Sequence, residues 1–371
     1  MERLEPGAPA RRNCFDALRL FAALAVLGGH ATRHLHATFL WHHGGDSWWF
    51  IDGVPAFFIL SGLMVYRSAE RCREDGQPWR QFYKNRALRI VPAIYVYLAV
   101  HVLVLAVAGV LQPREVPTIQ FGAYVLSHLV LAPVYHPAIF NEITNSEVNG
   151  SLWTIPVEVS FYVVVPLIVL AAARFGFRQA LAGTMALASI GLALYLAVGG
   201  NASQQLLGKL IAVTFMPFLW FFGLGILWTR LWPRVSQAGA VAWVCLAAYV
   251  ALSAFRSTLH GSPFELVTAV AALPLSYVLV WVGYRGPAVL SRITTRLGDL
   301  SFGTYIWHLP IIKLLVLAGA VGWAVPGTLL VLLVVALAMA VAALSWWFVE
   351  RPALRLKTYS LRREAAGLIV P

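Results

Sequence analysis

The stretch VPGTLLVLLVVALAMAVAALSWWF, residues Val325–Phe348, is 24 residues long and carries no charged side chain. A helix of about 20 residues crosses the roughly 30 Å hydrocarbon core of a bilayer. Over all 371 residues, 60% are apolar and only 12% are charged, whereas soluble domains carry about 25% charged residues. The sequence therefore predicts a membrane protein and excludes a water-soluble globular protein.

Ten apolar runs predict an all-α polytopic membrane protein, a bundle of ten transmembrane helices. The predicted spans are Phe15–Arg33, Trp49–Arg67, Ala87–Val110, Ser151–Ala173, Gln179–Val198, Lys209–Leu231, Gly239–Phe255, Phe264–Tyr284, Leu300–Val321 and Val325–Phe348. An eleventh run, Ile119–Tyr135, is shorter and contains His128 and Pro133, so its residues alone allow a short span, a re-entrant segment or an interfacial helix. A full crossing here would place 12 basic residues on the outer side, so we interpret the run as non-spanning. The resulting organisation is an N-terminal arm (1–14), one transmembrane domain (15–350) and a basic tail (351–371).

The positions of the basic residues explain the formal net charge of +12. With ten spans, 22 of the 28 Lys and Arg fall on the two terminal segments and on the loops of one side. Cytoplasmic loops of membrane proteins carry such an excess. We therefore predict cytoplasmic N- and C-termini and no nucleic-acid partner. The first apolar run is interpreted as a retained span rather than a signal peptide, since it contains Arg19 and His30 and lacks a clear cleavage site.

Neither cysteines nor histidines form a metal-binding pattern in the sequence. Four histidines follow the first span, but no cysteine or carboxylate pattern accompanies them, and we interpret them as part of a polar loop: His34, His36, His42 and His43. The three cysteines have neither disulfide nor metal-ligand spacing: Cys14, Cys72 and Cys245. We therefore expect no metal site and no permanently bound cofactor.

A few ionisable side chains fall inside the predicted spans, where such residues are costly and commonly functional. His30 lies roughly 22 Å from the cytoplasmic face, and Glu158 lies roughly 10 Å below the outer face, at a matching depth. A histidine beside a carboxylate is suited to taking a proton from a hydroxyl group. Ser61 and His308 fall at similar depths. Two routes remain open, direct attack of an acceptor hydroxyl on an acyl group, or prior acylation of Ser61.

Arg86 and Arg89 end a basic inner loop. A spacing of three residues places both guanidinium groups on one face of the helix that enters the membrane. Arginine binds phosphate in a bidentate manner, so this pair predicts a site for a phosphorylated cytosolic donor.

Six blocks of the chain, in the expected order, resemble the acyltransferase-3 family of integral membrane acyltransferases. The matching blocks are FDALRLFAALAVLGGH with Arg19 and His30, VPAFFILSGLMVYRS with Ser61, RALR at 86–89, SLWTIPVEVSFYVVVPL with Glu158, LGDLSFGTYIWHLPI with Tyr305 and His308, and SWWFVERP with Glu350. Together they cover nearly the whole chain.

The resemblance implies transfer of an acyl group, commonly acetyl, from cytosolic acyl-CoA to a hydroxyl group of a saccharide, free or lipid-linked, in a bacterial inner membrane. It implies that His30 is the catalytic base, that Glu158 or Glu350 supports it, and that Arg86, Arg89 and Arg19 bind the donor. Ser61, Tyr305 and His308 are expected to support the site. Family members often have two acidic residues in the PVEVS block, where this chain has Glu158 alone.

Two other functions are compatible with buried polar residues and a basic inner loop. A transporter or flippase for an anionic glycolipid has both features, but it does not require His30 and Glu158 at matching depth. A non-catalytic assembly subunit requires His30, Arg86 and Arg89 to be dispensable. We therefore expect an enzyme, an O-acyltransferase.

Overall fold

The computed structural model describes residues 13–37, 53–107, 118–137, 149–199, 211–259 and 262–357, and all structural statements refer to these. Within them the chain is helical, without strands. The α-helices are α1 (Phe15–His34), α2 (Gly53–Glu74), α3 (Trp79–Val107), α4 (Thr118–Leu129), α5 (Thr154–Phe175), α6 (Phe177–Gly199), α7 (Leu219–Leu231), α8 (Gly239–Arg256), α9 (Ser262–Arg285), α10 (Ala288–Leu297), α11 (Ser301–Leu317) and α12 (Gly327–Ser345). Each of the ten predicted spans overlaps one of these helices.

Six helices of the described part are long and apolar enough to cross a membrane: α3, α5, α6, α8, α9 and α12. A seventh span results if α10 and α11, which meet at a bend of 69°, are counted together. Of the other predicted spans, α1 and α2 are less apolar, and α7 has only 13 residues. The protein is therefore a multi-pass membrane protein, and the total of ten spans and the orientation of the termini stay predictions.

The ambiguous run at 119–135 contains α4, a helix of 12 residues. At 1.5 Å per residue it is about 18 Å long, too short for the roughly 30 Å hydrocarbon core. It packs beside α3 through Tyr124, which contacts Leu98 and Leu105 in a small apolar cluster. The structure thus agrees with the non-spanning interpretation of this segment.

The bundle has two packed groups of helices that meet at α1. In the first group, α2 and α7 approach closely because Gly62 lies against the Phe222 carbonyl and Gly225 against the Ile59 carbonyl. Small residues permit such close helix packing in membranes. In the second group, α1 and α12 pack around α11, with Leu27 and Leu309 in a shared apolar cluster. The site described below lies between these groups.

The final helix changes geometry where it passes the start of α11. Residues Trp346–Glu350 form a π-helical turn, a feature common at functional sites. Gly298 has φ +88°, and the Trp346 indole leaves no room for a side chain there. Gly303 similarly packs against Ala342 and the Glu350 carboxyl group. These glycines let α11 lie directly on α12.

Candidate active site

Helices α1 and α11 bring His30 and His308 together, two residues separated by 278 positions in the chain. His30 Nδ1 lies 3.0 Å from His308 Nε2, and the rings are stacked with centroids 5.1 Å apart. His308 Nδ1 lies 3.2 Å from the carbonyl oxygen of Thr304, one turn earlier on α11. His308 is fully buried, whereas His30 is half-buried.

This chain of hydrogen bonds assigns the tautomers of both histidines. A backbone carbonyl only accepts, so His308 Nδ1 carries the proton and donates it to Thr304. His308 Nε2 is then an acceptor, and His30 Nδ1 donates to it. The remaining ring nitrogen, His30 Nε2, therefore keeps its lone pair. The arrangement leaves His30 able to accept a proton from a bound hydroxyl group.

Tyr305 fixes the neighbouring wall of the site. Its hydroxyl group lies 2.7 Å from the Ser151 carbonyl oxygen and 2.8 Å from Thr154 Oγ1, so it donates to Ser151 and accepts from Thr154. Its ring lies 5.8 Å from the His308 ring and 5.7 Å from the Phe57 ring. The predicted supporting residue Tyr305 thus connects the start of α5 to the histidine pair.

A cavity of about 520 Å³ lies at the end of the bundle where the basic loop enters. We call it the arginine cavity after its cationic lining residues, Arg19, Arg67, Arg71, Arg86, Arg89 and Lys357. Its acidic lining residues are Asp16 and Glu158. The excess of positive charge suits a ligand that carries several phosphate groups.

A second, narrow chamber of about 40 Å³ continues from the arginine cavity toward Tyr305. Three side chains line both spaces, Arg19, Ser61 and Glu158. Phe57 and Tyr305 line the narrow chamber only. The narrow chamber thus ends at Tyr305, whose ring packs against His308, although neither histidine lines the chamber itself.

The two arginines of the predicted donor pair have different surroundings. Arg86 donates to Ser68 Oγ at 2.9 Å, and its guanidinium carbon lies 5.7 Å and 5.8 Å from the Phe82 and Tyr162 rings. Arg86 Nε has no hydrogen-bond partner among the described residues. Arg89 instead forms an ion pair with Asp299. Arg86 is therefore the more available of the two for a phosphate.

Asp299 is the central acidic residue of this region, and it was not among the residues predicted from the sequence. It pairs with Arg89 and, at 2.7 Å, with Arg19, while its other oxygen accepts from Ser301 Oγ at 2.5 Å and Ser301 N at 3.2 Å. Asp299 thus holds the first residue of α11, Ser301, through its backbone N–H and its hydroxyl group. An Asp just before an apolar run is a visible sequence signal for the start of a helix. The sequence carries no signal that joins Asp299 to arginines 210 and 280 positions away.

We expect Asp299→Asn to destabilise the protein by about 3 kcal/mol, because breaking a buried ion pair leaves the partner charge uncompensated. Here two guanidinium groups, on Arg19 and Arg89, lose their partner. The apparent Tm in nanodiscs should fall by roughly 5 °C or more. Asp75→Asn, at an exposed acid in the turn after α2, is the matched control and should leave Tm unchanged. Equal Tm values for both variants would show that Asp299 is not a structural anchor.

Glu158 lies on the cavity side of α5 rather than beside His30. Tyr162, one turn later, donates to Glu158 Oε1 at 2.5 Å. Among the described residues, His30 makes no hydrogen bond with Glu158; its partner is His308. His30 and Glu158 have matching predicted depths, but depth alone does not specify which side chains they contact. His30 contacts His308, and Glu158 contacts Tyr162. The catalytic role of Glu158 stays a prediction, acting from the donor side of the site.

The other predicted supporting residues lie at the edges of the site. Ser61 lines both the arginine cavity and the narrow chamber. Glu350 is buried in the π-helical turn and accepts from Ser345 Oγ at 3.0 Å, while its Oε2 has no hydrogen-bond partner among the described residues. His42 and His43 lie outside the described residues, and His34 Nδ1 lies 3.4 Å from Lys313 Nζ. The described part contains no group of three or more residues placed to hold a metal ion.

Comparison with protein families agrees with this site. Residues 12–348 match the family model of the acyltransferase domain known as acyltransferase 3. The chain belongs to the acyltransferase-3 family. It is therefore an acyltransferase, as predicted, and family membership disfavours the alternative of a transporter.

Several curated relatives of this acyltransferase are named for saccharide modification or production. Nodulation protein 10 of Rhizobium leguminosarum bv. viciae is 31% identical, over 95% of this chain and 96% of its own. The exopolysaccharide production protein ExoZ of Rhizobium meliloti is 28% identical, over 85% and 92%. The peptidoglycan O-acetyltransferase OatA of Listeria monocytogenes is 24% identical over 91% of this chain, which spans only 55% of that protein. No solved structure matches the chain.

Proposed function

We propose that this acyltransferase transfers an acyl group, acetyl in the first instance, from cytosolic acyl-CoA to a saccharide hydroxyl group in a bacterial inner membrane. The observation that carries the proposal is the hydrogen-bond chain Thr304–His308–His30, which leaves a free lone pair on the His30 imidazole. A cationic cavity lies in the same bundle, and its narrow extension ends at Tyr305, whose ring packs against His308. The names of the curated relatives support a saccharide acceptor.

The donor enters from the arginine cavity in this proposal. Arg86, with Arg19 and the other cations, holds the phosphates of CoA, and the pantetheine arm passes Ser61 and Glu158 into the narrow chamber. Arg19 precedes His30 by eleven residues on α1, about three turns, so the two residues lie on one side of that helix roughly 16 Å apart. This separation leaves room for an extended arm between phosphates and thioester. CoA is a co-substrate here, and no bound cofactor is required.

His30 acts as the general base. Its Nε2 takes the proton from the acceptor hydroxyl group while the acceptor oxygen forms a bond with the thioester carbonyl carbon. When the carbon–sulfur bond breaks, the leaving thiolate takes the proton from the His30 imidazolium. The products are the acylated saccharide and free CoA, and His30 returns to its starting state. Donation from His30 Nδ1 to His308 keeps the base oriented throughout.

The test is acyl transfer by purified protein in nanodiscs, with radiolabelled acetyl-CoA and saccharide fractions from the host envelope. Radiolabelled ester on a saccharide, with one equivalent of free CoA released, supports the proposal. Absence of both label transfer and CoA release, in protein that unfolds cooperatively, contradicts it. Recovery of label on Ser61 in a quenched reaction would establish the two-step route instead of direct transfer.

We expect Arg86→Ala to raise the KM for acetyl-CoA about tenfold or more, because a charge-assisted hydrogen bond contributes about 1.5–3 kcal/mol. The KM for acetyl-pantetheine, which lacks the nucleotide phosphates, should not change. Arg80→Ala removes an exposed cation from the first turn of the same helix, α3, outside the cavity, and is the matched control. If Arg86→Ala raises both KM values equally, Arg86 does not bind the phosphates.

A further inference from the structure

The narrow chamber has an apolar end beyond the residues that it shares with the arginine cavity. Its volume is about 40 Å³, and four apolar side chains line it without lining the arginine cavity: Val54, Phe57, Ile155 and Phe302. The shared residues, among them Ser61, mark the junction of the two spaces. In the proposed function the phosphates of acyl-CoA lie in the arginine cavity, so the acyl group, at the other end of the donor, reaches the apolar end of the chamber.

This apolar end lies about one helical turn from the proposed base. The first residue of α2, Gly53, packs so closely on α1 that a side chain there would meet Val26, and the next residue of α2 lines the chamber. Val26 precedes His30 by four residues, which is about one turn, or roughly 6 Å, along α1. On α11, Tyr305 lines the chamber, and its ring lies 5.8 Å from the His308 ring. An acyl group at this end of the chamber is thus brought close to the histidine pair.

The volume of the chamber limits the size of that acyl group. A water molecule takes roughly 30 Å³ in the liquid and a methyl group is of similar size, so a chamber of about 40 Å³ holds one or two such groups. An acetyl group, which consists of a methyl group and a carbonyl group, is of that size. A butyryl group has two more methylene groups, which need roughly 60 Å³ in addition. The chamber therefore accommodates a two-carbon acyl group and excludes a four-carbon one.

The walls of the chamber are held in place by ring packing and hydrogen bonds. The Phe57 ring meets the Tyr305 ring edge to face at 5.7 Å, and the Tyr305 hydroxyl group donates to the Ser151 carbonyl oxygen. Phe58, also in the wall, lies 5.6 Å from the Phe161 ring. Extra methylene groups in such a packed space force side chains out of their preferred conformations. A longer acyl group therefore gains no room by displacing these rings.

We propose that the narrow chamber is the acyl-group pocket, and that Val54, Phe57 and Phe302 set the length of the acyl group that this enzyme transfers. In a hydrophobic pocket, one methylene group changes kcat/KM by about 10- to 200-fold. The proposal rests on the proposed function, because it requires acyl-CoA to enter from the arginine cavity. It adds the residues that select the acyl group, which neither the family nor the sequence specifies.

The experiment compares acyl donors that have the same CoA portion and differ only in acyl length. Purified protein in nanodiscs receives acetyl-CoA, propionyl-CoA or butyryl-CoA, radiolabelled in the acyl group, and transfer to saccharide fractions from the host envelope gives kcat/KM. Equilibrium dialysis without acceptor gives Kd for the same donors and for free CoA. For the wild type we expect kcat/KM to be about 100-fold or more lower for butyryl-CoA than for acetyl-CoA, and Kd to be about tenfold or more weaker. Equal kcat/KM and Kd values for these two donors would overturn the proposal.

Variants of the chamber wall localise the selection. Val54→Ala enlarges the chamber and should raise kcat/KM for butyryl-CoA relative to acetyl-CoA about tenfold or more, as should Phe57→Leu. Val54→Phe fills the chamber and should lower kcat/KM for acetyl-CoA about tenfold or more, while Kd for free CoA stays unchanged. Val163→Ala, at an exposed position on α5 outside the chamber, is the matched control and should keep the wild-type ratio. A butyryl-to-acetyl ratio that neither Val54→Ala nor Phe57→Leu changes would show that these residues do not select the acyl group.

Measuring both binding and transfer separates this proposal from the proposed function. If dialysis shows a preference for acetyl-CoA that Val54→Ala abolishes, but no ester forms on a saccharide, the chamber proposal holds and the proposed function is contradicted. If all three donors form saccharide esters at equal kcat/KM, the proposed function holds and the chamber proposal is contradicted.

Discussion

Replacing His30 with Gln is expected to lower the rate of acyl transfer by about 10²- to 10⁴-fold, the range that a positioned general base contributes. Glutamine is close to histidine in size, and its amide group still donates to His308 Nε2. It has no nitrogen lone pair that takes a proton at neutral pH. The variant therefore removes the base while it preserves the contact between α1 and α11. Steady-state transfer from radiolabelled acetyl-CoA measures the effect.

The control for this variant is His36→Gln, two residues after the end of α1 at an exposed position. It should retain full activity. Binding of acetyl-CoA, measured by equilibrium dialysis, should be unchanged in His30→Gln, since the arginine cavity lies elsewhere. Near wild-type transfer by His30→Gln would rule out His30 as the base. Loss of donor binding together with transfer would mean that the substitution had disturbed the fold.

The sequence predicted the helices of this protein well because their signal is local. A run of apolar residues such as Val325–Phe348 needs no knowledge of its neighbours to be interpreted as a span. The short run at 119–135 was interpreted as non-spanning from the distribution of basic residues, and the 12-residue length of α4 is consistent with that prediction. Depth along a helix follows from counting residues, and on that basis the middle of the membrane was predicted to contain four reactive side chains: His30, Glu158, Ser61 and His308.

The geometry of the site depends on which side of each helix faces its neighbours in the bundle. No short stretch of sequence specifies that orientation by itself. Counting residues gave His30 and Glu158 a common depth, but α1 turns His30 toward α11, while α5 turns Glu158 toward Tyr162 and the cavity. In the same way, a spacing of three residues put Arg86 and Arg89 on one face. The packing of α11 then gave Arg89 an acidic partner, Asp299.

Asp299 also reduces the electrostatic repulsion within the arginine cavity. Six cationic side chains around one cavity repel one another, and Asp299 offsets part of that repulsion for Arg19 and Arg89. Arg86, stacked over two rings and held by Ser68, is left with hydrogen-bonding capacity for a ligand. Arg19 and Arg89 are thus also tied to the fold through Asp299, whereas Arg86 has no acidic partner among the described residues and keeps more of its hydrogen-bonding capacity for the donor.

Replacing His308 with Phe is expected to lower kcat about 10- to 10³-fold without a change in the KM for acetyl-CoA. Phenylalanine fills the same buried space, but it accepts no hydrogen bond from His30 Nδ1. The His30 ring then loses the contact that fixes its tautomer and orientation, and part of the population presents a protonated Nε2 to the acceptor. In enzymes with a Ser-His-Asp triad, where the aspartate orients the histidine in a comparable way, loss of the correct tautomer costs about 10⁴ in kcat.

Replacing His308 with Gln distinguishes positioning from packing. Its amide oxygen lies near the place of Nε2 and accepts from His30 Nδ1, so we expect His308→Gln to recover at least tenfold of the activity lost in His308→Phe. A purely structural role predicts the opposite order, since Phe is the better apolar filler of a site that is fully buried. Equal kcat values for the two variants, or a rise in the KM for acetyl-CoA in either, would show that His308 does not orient the base.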